Sequence, residues 1–246
     1  MSQTLDAVAP KEPAPPPEAA GPSKVGVYTV GHRRLEIFAI CLHLSLTAVI
    51  VWRVGHEVRS WREAGTALLW TFLGYLASDM ISGLVHFAAD NYGTPTMPIF
   101  GAFVRTFREH HLDPKAITRH DFIETNGDSC IISVWLLVLV AWLLPTAPGS
   151  TSTMAIQCFI VALCVGTLLT SQAHKWAHME SAPKAVRFVQ SLRLIISRPH
   201  HQLHHRGKHD SHFCITTGWM NPILSTFGVY KLLARLLKMV GIHPTP

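Results

Sequence analysis

The chain has 246 residues, of which 48% are hydrophobic and only 15% charged, with a mean hydropathy of +0.25. Water-soluble domains carry about a quarter charged residues, so this balance excludes an ordinary soluble globule, and it equally excludes a disordered or collagen-like chain. The formal net charge of +6 is what a membrane protein gathers at the lipid surface, so no nucleic-acid partner is expected.

Residues 1–30 are expected to be a disordered tail. Positions 1–24 read MSQTLDAVAPKEPAPPPEAAGPSK, rich in Pro and Ala without apolar periodicity. The segment lacks the apolar core of a signal peptide. Residues 31–246 are expected to form one membrane-embedded domain. Four apolar windows follow one another: Leu35–Val54, Thr66–Phe87, Ile131–Leu144 and Met154–Ala173. A spanning helix needs about 20 mostly apolar residues. Windows one, two and four meet that length. The third stops at Leu144-Pro145 and is short enough to dip rather than cross. A tight connection through 145–153 would join it to the fourth. The last stretch, Val229–Val240, has helical apolar spacing and only basic charges. It reads as an amphipathic helix, either on anionic lipid or packed on the rest of the protein.

Eighteen of the 21 Lys and Arg fall on one side of this topology and three (Arg53, Arg59, Arg62) on the other. The positive-inside rule then puts both termini and the 88–130 segment in the cytoplasm. The expected fold is all-α: a polytopic membrane protein with about four transmembrane helices and a His-rich helical cytoplasmic region. The five cysteines contain no C-x-x-C pair and read as small buried hydrophobes rather than a disulfide or zinc framework.

Sixteen histidines are present. His32, His43, His56, His212 and His243 are scattered and read as structural or solvated. The other eleven are His86, His110, His111, His120, His174, His178, His200, His201, His204, His205 and His209. All eleven fall on the predicted cytoplasmic side, although the topology was read from Lys and Arg alone. His174 and His178 are spaced i, i+4, as are His86 and Asp90, and His201 has the same relation to His205. On a helix such pairs share a face. Imidazole suits Zn, Cu, Fe and Ni, and without a thiolate cluster structural zinc and iron–sulfur are disfavoured. Eight or so imidazoles are too many for one tetrahedral ion and suit two ions. The Glu-x-x-His pattern of soluble di-iron bundles is missing. The pattern therefore points to a histidine-rich di-iron centre at the membrane surface.

The stretches GLVHFAAD (83–90), FREHHLDPKAITRHDFIETNGD (107–128), QAHKWAH (172–178), PHHQLHH (199–205) and FCITTGW (213–219) resemble the plasmanylethanolamine desaturase family. These are the Kua or CarF-type membrane lipid desaturases, related to a plant plastid lipid desaturase. The resemblance implies an O2-dependent oxidoreductase with two Fe ions. It would form the vinyl ether double bond of plasmalogens from plasmanyl (alkyl-ether) phospholipids. It also implies electrons from a redox donor protein of cytochrome b5 or ferredoxin type. Carried onto this chain, the iron ligands would be His86, His110, His111, His174, His178, His201, His204 and His205, with His200 an alternative to His201. His120 and His209 would be ligands or outer partners. Asp90, Glu109, Asp121, Glu124 and Asp128 are near enough in sequence to accept from ligating imidazoles. Asp90 and His120 are the candidate catalytic residues. Arg105, Arg108, Lys175 or Arg198 could hold the lipid phosphate, or simply anchor the protein at the lipid surface.

An acyl-lipid desaturase or hydroxylase on the same centre is the nearest alternative. A metal transporter or a haem electron carrier is remote. Transporters place ionisable groups near the bilayer midplane, whereas only His43 and Asp79 lie within the predicted spans, and facing His pairs for haem are missing.

Overall fold

In a computed structural model, residues 28–97, 101–144, 150–206 and 209–245 are described, and among them all regular structure is helical. The tail expected over 1–30 lies outside the described residues up to position 27. Four long helices carry the apolar windows. They are α1 (Val30–Glu57), α2 (Trp61–Asn91), α5 (Phe122–Leu143) and α6 (Thr151–His178). Each is long and apolar enough to cross a membrane.

Their starts follow from local chemistry. Thr29, Ser60, Asp121 and Ser150 each accept from a backbone N–H of the first turn with a side-chain oxygen, as helix N-caps do. The third span differs from expectation. α5 begins nine residues before its apolar window, because Asp121 caps it and accepts from Ile123 and Glu124. Its polar first turns are stabilised from α6: Asn126 donates to Gln172 at 3.0 Å, and Ser129 meets Ser171 at 2.8 Å. At 22 residues the helix is about 33 Å long, enough for a hydrocarbon core of about 30 Å.

α6 is the central helix and packs on α2, α5 and α1, while α1 packs mainly on α5. Glycines permit the closest approach. A Cβ on Gly74 would stand 2.2 Å from the Phe159 carbonyl oxygen, and one on Gly166 would stand 2.1 Å from Ser78 Oγ. Small residues at crossings are how membrane helices approach one another. His43, fully buried in α1, bonds the Cys164 carbonyl at 3.3 Å.

Among the described residues six shorter helices follow: α3 (Gly101–Leu112), α4 (Ala116–Arg119), α7 (Lys184–Ser191), α8 (Arg198–His201), α9 (Met220–Thr226) and α10 (Val229–Met239). α3 packs on α2, α4 and α8 on α6, and α9 on α2. For α10 both sequence readings keep a part. Tyr230, Leu233 and Ala234 pack against Phe87 and Phe213, while Leu232, Leu236 and Met239 remain exposed.

Candidate metal centre

His86 stands in the last two turns of α2, His110 and His111 end α3, and His174 and His178 occupy the last two turns of α6. His201 closes α8, and His204 and His205 follow in turns, so H-x-x-H-H is helical only at its first residue. The ring nitrogens of His110, His174, His178, His201 and His205 lie within 4.8 Å of one another. Those of His86, His110, His111 and His204 form a second such group. His110 belongs to both. A third set, His111, His205 and His209, adds His209 at the edge.

The nitrogens face inward. The Nε2 atoms of His174, His178 and His201 are 2.9–3.1 Å apart, and His205 Nε2 is 3.0 Å from that of His201. A neutral imidazole carries one N–H and one lone pair, so such a group cannot satisfy all its members by hydrogen bonds alone. Two nitrogens bound at right angles, each about 2.1 Å from one ion, would be about 3.0 Å apart. The observed separations match.

Asp90 sits among the second group. Its carboxylate oxygens lie 3.2–3.4 Å from Nε2 of His86, His111 and His204, yet among the described residues neither oxygen has a partner in hydrogen-bonding geometry. Both ring nitrogens of buried His110 are also without a hydrogen-bond partner among the described residues. A buried polar group left unmade costs about 1–3 kcal/mol. Orphaned nitrogens and oxygens pointing at a shared centre are what a bound cation would satisfy. The donor set, imidazoles with one carboxylate, fits a first-row transition metal such as iron.

The outer partners differ from those expected. His86 Nδ1 bonds the Phe213 carbonyl at 3.0 Å, and His204 Nδ1 the Ser211 carbonyl at 2.7 Å. Backbone, not carboxylate, therefore fixes these two tautomers with Nε2 inward. Of the carboxylates expected in that role, Glu109 pairs with Arg105, Asp121 with Arg33 and Asp128 with His32. Glu124 lies 3.8 Å from His120.

The segment that supplies those carbonyls is held by a residue that sequence reasoning left without a role. Asp79 of α2 is fully buried and accepts from the backbone N–H of Thr217, Gly218 and Met220 at 2.8–3.0 Å. Gly218 has φ +80° and lies against the His200 ring, which leaves no room for a Cβ. A carboxylate inside an apolar span was the available signal, since such groups are rare and need partners.

His200, the alternative to His201, is in neither group. It faces His212, with ring centroids 6.1 Å apart. His120 also stands apart, beside Glu124, and both line a cavity of about 80 Å3 together with His110 and His174. Arg108, a candidate for the lipid phosphate, donates to the Gly93 carbonyl and to Thr245 Oγ1. Lys175 donates to the His120 carbonyl.

Burial, with neighbouring imidazoles adding to it, holds His110 and His201 well below the usual histidine range and pushes His205 down to about 2. These rings are neutral at pH 7, the form that coordinates metal.

Residues 75–245 match the lipid desaturase domain. The chain is 40% identical to plasmanylethanolamine desaturase of Myxococcus xanthus over 85% of its length and 73% of that protein. It is 39% identical to plasmanylethanolamine desaturase 1 of Mus musculus over 89% of its length and 82% of that protein. Against fatty acid desaturase 4, chloroplastic, of Arabidopsis thaliana it is 31% identical, over 70% of this chain and 52% of that one. No solved structure matches. The match over most of the chain and the convergence of its histidines at helix ends agree, and the chain belongs to the lipid desaturase family, membrane oxidoreductases that act on lipids.

Proposed function

We propose that the protein is an O2-dependent desaturase that converts plasmanyl (alkyl-ether) phospholipids into vinyl-ether plasmalogens on a di-iron centre. Support comes from the relatives named plasmanylethanolamine desaturase. The observation that carries it is the convergence of eight imidazoles and Asp90 from distant segments. One iron would be held by His174, His178, His201 and His205, the other by His86, His111 and His204 with Asp90, and His110 lies within reach of both. When bound, the irons supply the reduction of O2 that allows two hydrogens to be taken from adjacent chain carbons. The balance is one O2, two hydrogens from substrate, two external electrons and two protons, giving two waters and one double bond. The electrons come from a cytochrome b5 or ferredoxin type donor.

The chain's own residues do the rest. The carbonyls of Ser211 and Phe213 hold His204 and His86 in the inward tautomer. Lys175 holds the backbone of His120. The His120–Glu124 pair, at the wall of the histidine-lined cavity, would pass protons toward that space. Phe107 and Ile215 line the same space with apolar surface, which keeps bulk water from the reacting carbons. The eighteen-to-three distribution of basic residues supports a cytoplasmic position for this end of the helices.

The test is metal content of the purified protein, together with conversion of an alkyl-ether phospholipid under O2 and a reductant. About two irons per chain and an acid-labile vinyl ether product are expected. Absence of that product alongside desaturation of an acyl chain would favour the second reading, an acyl-lipid desaturase, for which the relative named fatty acid desaturase 4 speaks.

A further inference from the structure

α6 stands behind both α2 and α5, yet among the described residues α2 and α5 make no extensive contact with each other. A slot remains between them, floored by α6, with a cavity of about 180 Å3. Its mouth is Ile81 and Val85 of α2 and Ile132 and Leu136 of α5, which are 36–56% exposed on helices long and apolar enough to cross a membrane. Leu163 and Thr167 of α6 lie in its floor. From Ser171 to Leu163 the floor runs eight residues, about 12 Å along the helix axis.

We propose that this slot holds one hydrocarbon chain of the substrate phospholipid, which enters sideways from the bilayer with its head end toward the histidines. The proposal rests on the lipid desaturase reading above and names the part of the site that takes the chain.

Two observations support it. First, the slot is continuous with the histidine-lined cavity. Phe103, Phe107, Ser129, Thr170, Ser171 and Ile215 line both, and His110 and His174 add to the lining of the cavity beside His120 and Glu124. A chain lying in the slot therefore ends beside those two rings. Second, the walls are built from small hydroxyl residues whose polar atoms are already used. Ser78, Ser82, Ser133 and Thr167 each donate to a carbonyl three or four residues earlier in their own helix. Ser129 meets Ser171, and Thr170 meets Thr216. With the hydroxyls turned inward, what remains toward the slot is small and apolar, so a hydrocarbon chain displaces no unsatisfied polar group. A wall of larger apolar residues would have closed the space.

The experiment uses the full chain in nanodiscs and an alkyl-ether phospholipid with a diazirine midway along its alkyl chain, mapped by mass spectrometry after illumination. Adducts are expected on Ile81, Ile132, Leu136 and Thr167, and excess unmodified ether phospholipid should suppress them. Adducts at exposed Phe38 and Leu44 of α1 should resist competition. Thr167→Phe should cut the competed labelling and ether-lipid turnover by at least tenfold while metal content and thermal stability match wild type. Leu44→Trp should change neither. Should Thr167→Phe fail to fold, Val85→Trp at the mouth gives the same reading from a residue already exposed. Uncompeted labelling, or unchanged competed labelling in the folded plug variant, overturns the proposal. Competed labelling of the slot by a wild-type protein that never converts ether lipid refutes the plasmalogen reaction instead, and leaves the slot standing.

Discussion

Asp79 is the residue whose removal tests most directly how the site is held. Its Oδ1 accepts from Thr217 and Gly218 and its Oδ2 from Met220. These bonds pin the 213–220 segment to α2. Asp79→Ala removes both acceptor oxygens at once and leaves three backbone donors without their partner. At about 1–3 kcal/mol for each unmade donor, the cost is roughly 3–9 kcal/mol if none finds a new partner. That range overlaps the whole stability of many domains. Asp79→Asn is a graded companion. Its amide oxygen can keep the two bonds at the Oδ1 position, but its NH2 group would face the Met220 N–H. One bond is lost and a donor–donor contact appears, for a cost of about 1–3 kcal/mol. The assay is thermal unfolding of detergent-purified protein together with metal content. The Ala variant should lose most of its metal and unfold well below wild type, with Asn between them. Metal content should follow, because the pinned segment carries the Phe213 carbonyl that orients His86. If Asp79→Ala kept wild-type unfolding temperature and metal, the segment would be held by something else and this account of the centre would be wrong.

Neighbouring histidines give a sharp pair. His201→Ala should abolish metal retention and turnover, whereas His200→Ala should keep metal content, since its ring faces His212 outside both groups; equal losses would refute the division. Chelation of the metalled protein should lower its thermal stability, by about 2.7 kcal/mol where free metal had stood at a hundredfold over its dissociation constant, and an unchanged melting curve would show that the imidazoles pack without an ion. Gly166→Val drives a side chain into Ser78 and should cost about 1–3 kcal/mol by overpacking, read as a lowered unfolding temperature. Arg33 and two backbone N–H groups hold the Asp121 carboxyl down to about 2. Its contribution to the start of α5 is therefore complete above the ordinary aspartate range near pH 4 and is lost as pH falls through about 2, and Asp121→Ala should flatten that part of the acid unfolding profile.

How much of this was legible depends on whether a contact is local. The four spans were visible as apolar windows because bilayer thickness sets their length. His174 and His178 could be placed on one face because a helix fixes the i, i+4 relation. The true length of α5 was not visible from hydropathy, since its first turns, FIETNGDS, are polar. They are helical because Asn126 and Ser129 find Gln172 and Ser171 on α6, partners more than forty positions away. The choice between His200 and His201 was open for the same reason. Both fit a spacing rule, and the outcome turns on Gly218, whose positive φ and missing side chain admit the His200 ring on the far side. Carboxylates near the histidines in sequence looked like their outer partners, but an acidic side chain near a lipid surface has arginines competing for it, and Arg33 and Arg105 take Asp121 and Glu109. The tautomers of His86 and His204 rest on carbonyls, and every residue has one, so composition carries no trace of which is used. Asp79 did leave a trace, as an acid inside a span. Its three N–H partners show how such a residue can support the candidate site without entering it, by fixing backbone that orients the clustered imidazoles.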